Sequence, residues 1–255
     1  MEKDRRAFLK AAGFTALACV AGRKIALAMQ KEGAVQVSGA APKVRWAMVV
    51  DPRRCQKKEG CVACVKACHQ VHNVPDVPSP KEEVKWIWKE SFQSTFPDQE
   101  ASYVEPALTS RDLPVLCNHC DEPPCARVCP TEATWKRADG IVMMDWHRCI
   151  GCRYCVAACP YGSRSFNWRD PRPHLAKADP GFPTRTRGVV EKCTFCEERL
   201  SRGEPPACVA SCPEKALTFG NVDDPASEVR RLLRERYAIR RKPGLGTGPQ
   251  VHYLV

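Results

Sequence analysis

Residues 149–160 read CIGCRYCVAACP, and this stretch decides the fold. Three cysteines are separated by two residues each, a fourth follows after three more residues, and a proline comes next. This is the bacterial run that ligates [4Fe–4S] clusters. The short gaps let one loop place the thiolates of Cys149, Cys152 and Cys155 on a single cubane. Cys159 begins a helical turn that points away, and in this run the fourth cysteine typically serves a second cluster. Pro160 then keeps the backbone from continuing as a regular helix.

Three further groups of four cysteines vary the same pattern. The first has a longer gap between its second and third cysteines and is followed by Pro130. The second has eleven residues between its second and third cysteines and is followed by Pro213. The third has a longer gap between its first and second cysteines and is followed by His69 in place of proline. In that order the groups are Cys117, Cys120, Cys125 and Cys129; Cys193, Cys196, Cys208 and Cys212; and Cys55, Cys61, Cys64 and Cys68. With the first run they account for sixteen of the 17 cysteines, enough for four cubanes, and leave only Cys19.

Two other interpretations of the cysteines fit the spacing less well. A disulfide framework does not call for three groups each closed by Cys-Pro, and a zinc site uses two CxxC pairs without the third close cysteine. Four histidines lie beside the cysteines, and a Rieske-type ligand would matter, but each group already supplies four thiolates. We therefore expect the histidines to donate hydrogen bonds to cluster sulfur or to be solvated. They are His69, His72, His119 and His147.

Composition and charge limit the classes of protein to which this chain can belong. Aromatic residues make up only 7% of the 255-residue chain and its 22 prolines imply much loop, so we expect the clusters to act as staples for a small core. No nucleophile–base pair, glycine-rich phosphate loop or paired acid motif stands out, so no catalytic residue is predicted. The formal net charge of +11 does not indicate nucleic-acid binding. Each oxidised cluster with four thiolates carries about −2, which largely offsets that charge.

The first 28 residues resemble a twin-arginine export signal, which implies a periplasmic protein bound to the outer face of the cytoplasmic membrane through partners. The pair Arg5-Arg6 precedes a weakly apolar stretch over 11–22, and Ala26-Leu27-Ala28 offers a cleavage site that would also remove Cys19. The apolar stretch is far shorter than the ~20 residues that a membrane span needs. Three alternatives stay open: a short amphipathic helix, a signal kept as an anchor, and a lipoprotein role for Cys19.

Hydrophobic periodicity and turn residues predict few regular elements outside the cysteine loops. The predicted elements are a strand over 44–50, a helical turn over 62–70, a hairpin of residues 131–137 and 141–145 around Asp139-Gly140, a strand over 216–219 and a helix over 225–241. That helix places Val229, Leu232, Leu233 and Tyr237 on one face and several arginines elsewhere. The arginines form either a solvated face or a contact for an anionic partner or lipid headgroup.

Two long segments interrupt the cysteine groups, residues 71–114 and residues 169–187. A loop of that length is usually functional or a docking surface, so we expect both segments to contact partner proteins. The first segment carries Trp86 and Trp88. The alternative is that these two tryptophans cover a cluster.

Three stretches carry a resemblance to a known family. They are CNHCDEPPC at 117–125, the run at 149–160, and KCTFCEER at 192–199. Together they resemble the four-cluster electron-transfer subunits of membrane oxidoreductases, such as the iron–sulfur subunits of dimethyl sulfoxide, polysulfide and tetrathionate reductases. The resemblance covers about residues 45–222 and implies four [4Fe–4S] clusters. The implied fold class is α+β, with two ferredoxin-like modules, the second inserted in the first, and a C-terminal helix.

The family resemblance also implies how the chain is divided and how the ligands pair. The inner module consists of residues 115–168, and the outer module consists of residues 44–70 together with 188–222. The remaining parts are a docking segment (71–114), a Pro-rich loop (169–187) and a C-terminal helix with a tail (223–255). The implied ligand sets, called clusters 1 to 4, are Cys117, Cys120, Cys125 and Cys159; Cys149, Cys152, Cys155 and Cys129; Cys55, Cys61, Cys64 and Cys212; and Cys193, Cys196, Cys208 and Cys68. The wide first gap and missing proline of the group at 55–68 depart from the family pattern and make its geometry the hardest to predict.

A narrower resemblance concerns the partners. The export signal, the stretched first cysteine group, His72-Asn73-Val74-Pro75 and KWIWK at 85–89 are similar to the DsrO subunits. These are the periplasmic iron–sulfur subunits of the membrane complex associated with dissimilatory sulfite reductase. The resemblance implies a polytopic quinone-interacting membrane subunit and a multihaem cytochrome c as partners, in sulfur metabolism. The alternative is the iron–sulfur wire subunit of a molybdopterin oxidoreductase.

Overall fold

The computed structural model describes residues 44–99, 106–109 and 112–255. The export signal predicted for residues 1–28, with Cys19, lies outside the described residues, as do parts of the first long segment. Within the described residues, no helix has the length and apolar character needed to cross a membrane.

The described residues form ten short strands and nine short α-helices. The strands are β1 (Trp46–Val50), β2 (Ile87–Glu90), β3 (Leu113–Leu116), β4 (Thr134–Lys136), β5 (Val142–Met144), β6 (Ser165–Phe166), β7 (Val190–Glu191), β8 (Leu217–Asn221), β9 (Ala238–Ile239) and β10 (Val251–Leu254). The helices are α1 (Pro52–Cys55), α2 (Ala63–Val71), α3 (Phe92–Thr95), α4 (Pro106–Thr109), α5 (Pro124–Arg127), α6 (Tyr154–Ala157), α7 (Glu197–Leu200), α8 (Ala207–Ala210) and α9 (Glu228–Glu235).

The four-stranded sheet has the strand order β8-β1-β10-β9. Strand β1 lies between β8, which is antiparallel to it, and β10, which is parallel. Both faces of β1 are buried: Ala47 and Val49 pack with Val229 of α9, whereas Met48 and Val50 join the main core. Burial on both faces explains why the predicted strand over 44–50 shows little alternation of polar and apolar residues.

The predicted hairpin around Asp139-Gly140 is formed by β4 and β5, which pair antiparallel. Gly140 has a φ angle of +85°, and a Cβ atom at this position would lie 1.5 Å from Nη1 of Arg45. Arg45 donates to the carbonyl oxygen of His119 at 2.8 Å and pairs with Asp121 at 2.7 Å. Glycine at position 140 therefore permits the turn and leaves room for the Arg45 side chain. Arg45 in turn links the start of β1 to the loop after Cys117.

Two units of similar make-up can be recognised. In one, α5 packs against α6 and against the β4–β5 hairpin. In the other, α2 packs against α8, and α8 packs against β8, the antiparallel partner of β1. The first unit comes from one continuous segment, and the second comes from segments on both sides of it. The fold is thus α+β and loop-rich, with two ferredoxin-like [4Fe–4S] modules; the residue boundaries of the modules stay a prediction.

The C-terminal part differs from its prediction. The helix expected over 225–241 covers only Glu228–Glu235. It begins where the Ser227 hydroxyl accepts a hydrogen bond from the backbone N–H of Arg230 (3.1 Å), and it ends where Arg236 becomes extended. The chain then continues into β9 and β10, which the sequence analysis missed. Strand β10 has only four residues, too few for a periodicity signal, although it is almost fully buried beside β1.

The first long segment is largely part of the core. Strands β2 and β3 pair within it, and the exposed fractions of Trp86 and Trp88 are only 1% and 9%. These two tryptophans therefore do not face a partner protein, and a docking role for the exposed part of the segment stays a prediction. Trp86 stacks on the His72 ring with the centroids 4.7 Å apart, and Nδ1 of His72 lies 3.5 Å from Sγ of Cys68. The alternative, that a tryptophan covers the surroundings of a cysteine group, agrees with this packing.

A buried ion pair joins both long segments to the core. Arg185 and Glu191 are fully buried, and their charged groups lie 2.7 Å apart. Glu191 also accepts hydrogen bonds from the indole N–H of Trp86 (3.0 Å) and from the side-chain amide of Asn167. Arg185 donates to the carbonyl oxygen of His72 at 2.5 Å. This part of the segment over 169–187 is thus structural and not available to a docking partner.

We expect Glu191→Gln to destabilise the protein strongly. The change leaves the Arg185 guanidinium buried without a counter-charge, which costs about 3–5 kcal/mol. In denaturant titrations of the holoprotein, the visible cluster absorbance should be lost at a clearly lower denaturant concentration than in the unchanged protein. Asp170→Asn is the matched control, because Asp170 forms a surface pair with Arg172 and its loss should leave the midpoint where it was. Equal midpoints for both variants would contradict a structural role for the buried pair.

Candidate metal centres

The sixteen cysteines that the structure describes are all free thiols. Three groups of them line cavities. The lining cysteines are Cys117, Cys120, Cys125 and Cys159; Cys129, Cys149, Cys152 and Cys155; and Cys55, Cys61, Cys64 and Cys212. The fourth group, with every member buried, is Cys68, Cys193, Cys196 and Cys208. The structure thus brings together the four sets that the family resemblance implies, and their assignment as ligands stays a prediction.

One backbone feature recurs in all four cysteine loops. The residue before the second cysteine of each group has a left-handed backbone conformation. These residues, with their φ angles, are Gly60 (62°), His119 (41°), Gly151 (70°) and Phe195 (56°). The stretched gap after Cys55 therefore ends in the same local conformation as the two-residue gaps. At position 151 glycine is required for a second reason, because a Cβ atom there would lie 2.3 Å from the carbonyl oxygen of Gly188.

Backbone N–H groups point at several of the sulfur atoms. The N–H of Ala216 donates to Sγ of Cys212 at 3.2 Å, and the N–H of Phe195 donates to Sγ of Cys193 at 3.4 Å. Such bonds favour the charged form of a sulfur atom and are a known influence on the reduction potential of iron–sulfur clusters.

The chemistry of the cysteine groups fits [4Fe–4S] clusters. Burial, and then the neighbouring cysteines, raise the pKa of the Cys120 thiol to about 12. Burial raises the pKa of Cys64 to about 11 and the pKa values of Cys68 and Cys208 well above their ordinary range. Thiols in such sites do not ionise together at neutral pH on their own. Iron supplies the positive charge that lets four thiolates share one cavity, so cluster assembly displaces the thiol protons.

The groups also follow one another in space. Cys155 of cluster 2 lies near enough to Cys125 of cluster 1 for the two charges to interact. The same holds for Cys117 of cluster 1 with Cys193 of cluster 4. Cys208 of cluster 4 interacts in turn with Cys64 of cluster 3. The order along the molecule is therefore cluster 2, cluster 1, cluster 4, cluster 3.

Exposure to solvent varies along this order. The cysteines of cluster 4 are all buried, and three of the four in cluster 1 are buried. In cluster 2, Cys152 is exposed and only Cys155 is buried; in cluster 3, only Cys64 is buried. The two middle clusters are thus enclosed by protein, whereas both end clusters approach the surface.

Three cationic side chains that carry no signal in the sequence lie beside the cysteine groups. Arg164, 5% exposed, donates to Sγ of Cys125 at 3.1 Å. The fully buried Lys192 donates to the carbonyl oxygen of Cys193 at 2.6 Å, and Nζ of Lys89 lies 3.0 Å from Sγ of Cys55. Within the described residues none of the three pairs with a carboxylate. A buried cation needs a counter-charge, and here the cluster thiolates are the anions at hand.

The four histidines have different roles. Nδ1 of His72 lies 3.5 Å from Sγ of Cys68, and His147 is almost fully exposed, so these two agree with the expected donor and solvated roles. His119 is buried, stacks on Phe195 with centroids 3.7 Å apart and accepts a hydrogen bond from a backbone N–H through Nδ1, so it is not solvated. Its Nε2 is buried without a partner among the described residues, and donation from this atom to cluster sulfur stays a prediction. His72 also approaches Cys196 and Glu198 in a group with metal-ligand chemistry, and this group belongs to the surroundings of cluster 4.

We expect Arg164→Met to lower the reduction potentials of clusters 1 and 2. Removing the guanidinium removes a positive charge that stabilises the reduced, more negative clusters, together with the hydrogen bond to Cys125. Redox titration followed by electron paramagnetic resonance (EPR) measures the four potentials. Arg164→Lys, which keeps the charge, should shift them less, and Arg234→Met on the exposed face of α9 should not shift them. Unchanged potentials in Arg164→Met with full iron content would contradict this role.

Comparison with known proteins agrees with the cysteine groups. Residues 109–174 match a family described as a 4Fe-4S dicluster domain, and residues 148–216 match a second family with the same description. Two dicluster domains correspond to four [4Fe–4S] clusters in this chain.

Several characterised proteins are similar over most of the chain. The Hdr-like menaquinol oxidoreductase iron–sulfur subunit 1 of Archaeoglobus fulgidus is 44% identical over 231 residues, covering 83% of each chain. The iron–sulfur cluster-binding subunit of menaquinone reductase from Nitratidesulfovibrio vulgaris is 36% identical, covering 83% of this chain and 89% of its own. Protein NrfC of Escherichia coli K12 is 37% identical, covering 99% of this chain and 95% of its own. The chain therefore belongs to the family of four-cluster iron–sulfur electron-transfer subunits of oxidoreductase complexes.

Proposed function

We propose that this chain passes electrons between a polytopic quinone-interacting membrane subunit and a multihaem cytochrome c. The complex would be a respiratory complex of sulfur metabolism that faces the periplasm. One observation carries the proposal: the two middle clusters are enclosed, and both end clusters approach the surface. Electrons that enter near one end cluster and leave near the other then pass through the protein without contact between the middle clusters and solvent.

The quinone link has support from the relatives. Two of them are named for menaquinol or menaquinone, and we extend this link to the present chain. End clusters that approach the surface suit a subunit whose donor and acceptor are both other proteins. The DsrO resemblance supplies the specific partners of the proposal.

The location is part of the same proposal. The predicted twin-arginine signal places the folded protein on the outer face of the cytoplasmic membrane, held there by its partners. The similarity to Protein NrfC extends over 99% of the chain, so it includes most of the first 28 residues. Similarity that includes this part of the chain is consistent with the proposed export signal.

The cysteine ligand sets complete the proposal. Clusters 1 and 2 are held by the inner module over 115–168, and clusters 3 and 4 by the outer module over 44–70 and 188–222. Each cluster takes three cysteines from one group and the last cysteine of its partner group. The thiol groups that line each cavity support this cross-pairing.

The cross-pairing predicts which single substitutions perturb the same cluster. Cys159→Ser and Cys120→Ser should alter the same EPR signal, because both residues line the cavity of cluster 1. Cys152→Ser should alter a different signal, that of cluster 2. Low-temperature EPR of the three reduced variants makes the comparison, with the unchanged protein expected to hold about sixteen iron atoms per chain. Matching losses for Cys159→Ser and Cys152→Ser would overturn the pairing.

The function is tested in native membranes. Membranes that contain the tagged holoprotein are given a menaquinol analogue anaerobically, and reduction of the four clusters is followed by EPR. The proposal expects reduction, which an inhibitor of quinol sites abolishes, and a pull-down that contains a polytopic subunit and a multihaem cytochrome. Clusters that the quinol leaves oxidised would contradict the quinone link. A molybdopterin subunit in the pull-down would instead support the alternative complex.

A further inference from the structure

An exposed apolar surface surrounds the most accessible of the described cysteines, Cys152. We define the Ile150 face as Ile150, Cys152, Arg153, Tyr154 and Trp168. The exposed fractions of Ile150, Tyr154 and Trp168 are 66%, 63% and 46%. Cys152 lines the cavity of cluster 2, so that this end cluster lies directly behind the face.

The Ile150 face is held in a fixed shape. Gly151 lies so close to Gly188 and Phe166 that no side chain fits between them. The Arg153 guanidinium lies over the ring of Trp168 at 4.7 Å and over that of Phe166 at 5.3 Å. The two aromatic rings meet edge to face with centroids 4.7 Å apart. Little side-chain entropy remains to be lost when a partner covers the face.

The rim of the face is basic. Arg127, Arg153 and Arg187 are exposed and form no ion pair with a described residue. Arg187 directly precedes Gly188 under the loop, and Arg127 lies two residues before Cys129. Exposed Glu132 and half-buried Asp145 lie in this part of the chain, and Asp145 is engaged by Arg148 at 3.6 Å. Asp170, two residues after Trp168, is engaged by Arg172 at 2.5 Å.

On helix α9, one exposed arginine is paired. There, Arg231 pairs with Glu228 at 2.5 Å and with Glu235 at 2.6 Å. Unpaired arginines around exposed aromatic and aliphatic side chains are the composition of a protein–protein interface, in which charged groups of the rim select the partner.

We propose that the Ile150 face binds an acidic redox protein. Carboxylates of that protein pair with the rim arginines, and its apolar centre covers Ile150 and Tyr154. One electron then passes between cluster 2 and the cofactor of the partner, so that one is oxidised as the other is reduced and no bond is made. The inference rests on the proposed function. It adds that the partner binds at the cluster 2 end of the molecule and that this partner is acidic.

Photo-crosslinking in native membranes tests the contact. A benzophenone amino acid replaces Tyr154 in one holoprotein and Tyr237 in a matched control, since Tyr237 is 76% exposed and lies after α9. The proposal expects an adduct from position 154 to an acidic stretch of a redox protein, and none to that protein from position 237. Adducts to lipid, to a basic surface or to no protein would overturn it.

Electron-transfer kinetics test the charge. Reduced holoprotein is mixed in a stopped-flow instrument with an acidic flavodoxin or a basic cytochrome c at rising salt. The rate with the acidic acceptor should exceed the rate with the basic one and fall with salt. Arg187→Glu should lower that rate by about tenfold or more. Arg234→Glu, on the exposed face of α9, should leave it unchanged. A faster reaction with the basic acceptor, or equal effects of both variants, would refute the proposal.

These results are separable from the proposed function. If menaquinol reduces the clusters in membranes while position 154 gives no protein adduct, the electron-transfer role stands and the Ile150 face is not the docking surface. The cluster 2 potential of Arg187→Glu is measured alongside, so that a change of driving force is not mistaken for a loss of binding.

Discussion

The structure depends on one electrostatic constraint: four thiolates share a small cavity only if iron lies between them. Burial raises the pKa values of Cys64, Cys68 and Cys120, so that without iron these thiols keep their protons. No shared positive charge then holds the four sulfur atoms of a group together. The same cysteines are members of the core, where Cys64 and Cys68 pack with Met48 and Trp86. Folding and cluster assembly are therefore one process, as expected for a chain with few aromatic residues.

The cations of the interior follow from the same constraint. A buried Arg164 or Lys192 that pairs with no carboxylate of a described residue would be costly in an apolar core. Beside cluster thiolates these charges are compensated, and they in turn favour the reduced state of the clusters. The excess of basic residues in the chain is thus partly an internal counterpart of its cofactors. The unpaired arginines of the rim around Ile150 are a separate, external set.

The long segments between the cysteine groups hold the two modules together. Trp86 and His72 come from the first segment, Arg185 from the second, and all three meet at Glu191 or its bonded neighbours. Length alone indicates a docking loop, yet the burial of these side chains shows that much of this length builds the core. Cysteine loops also approach the surface at the two ends of the cluster order, and the docking role of the exposed parts of both segments stays a prediction.

The sequence by itself determined the cofactors, the α+β class and the local cysteine loops. Ligand spacing is a local property, because two residues between cysteines fix how one loop wraps a cubane, and the hairpin at Asp139-Gly140 is equally local. Only the tertiary structure decided that Trp86 is core, that Arg185 pairs with Glu191 and that β10 completes the sheet beside β1. Each of these features is a contact between segments that are far apart in the chain. Such a contact produces no hydrophobic periodicity within either segment, so neither segment predicts it.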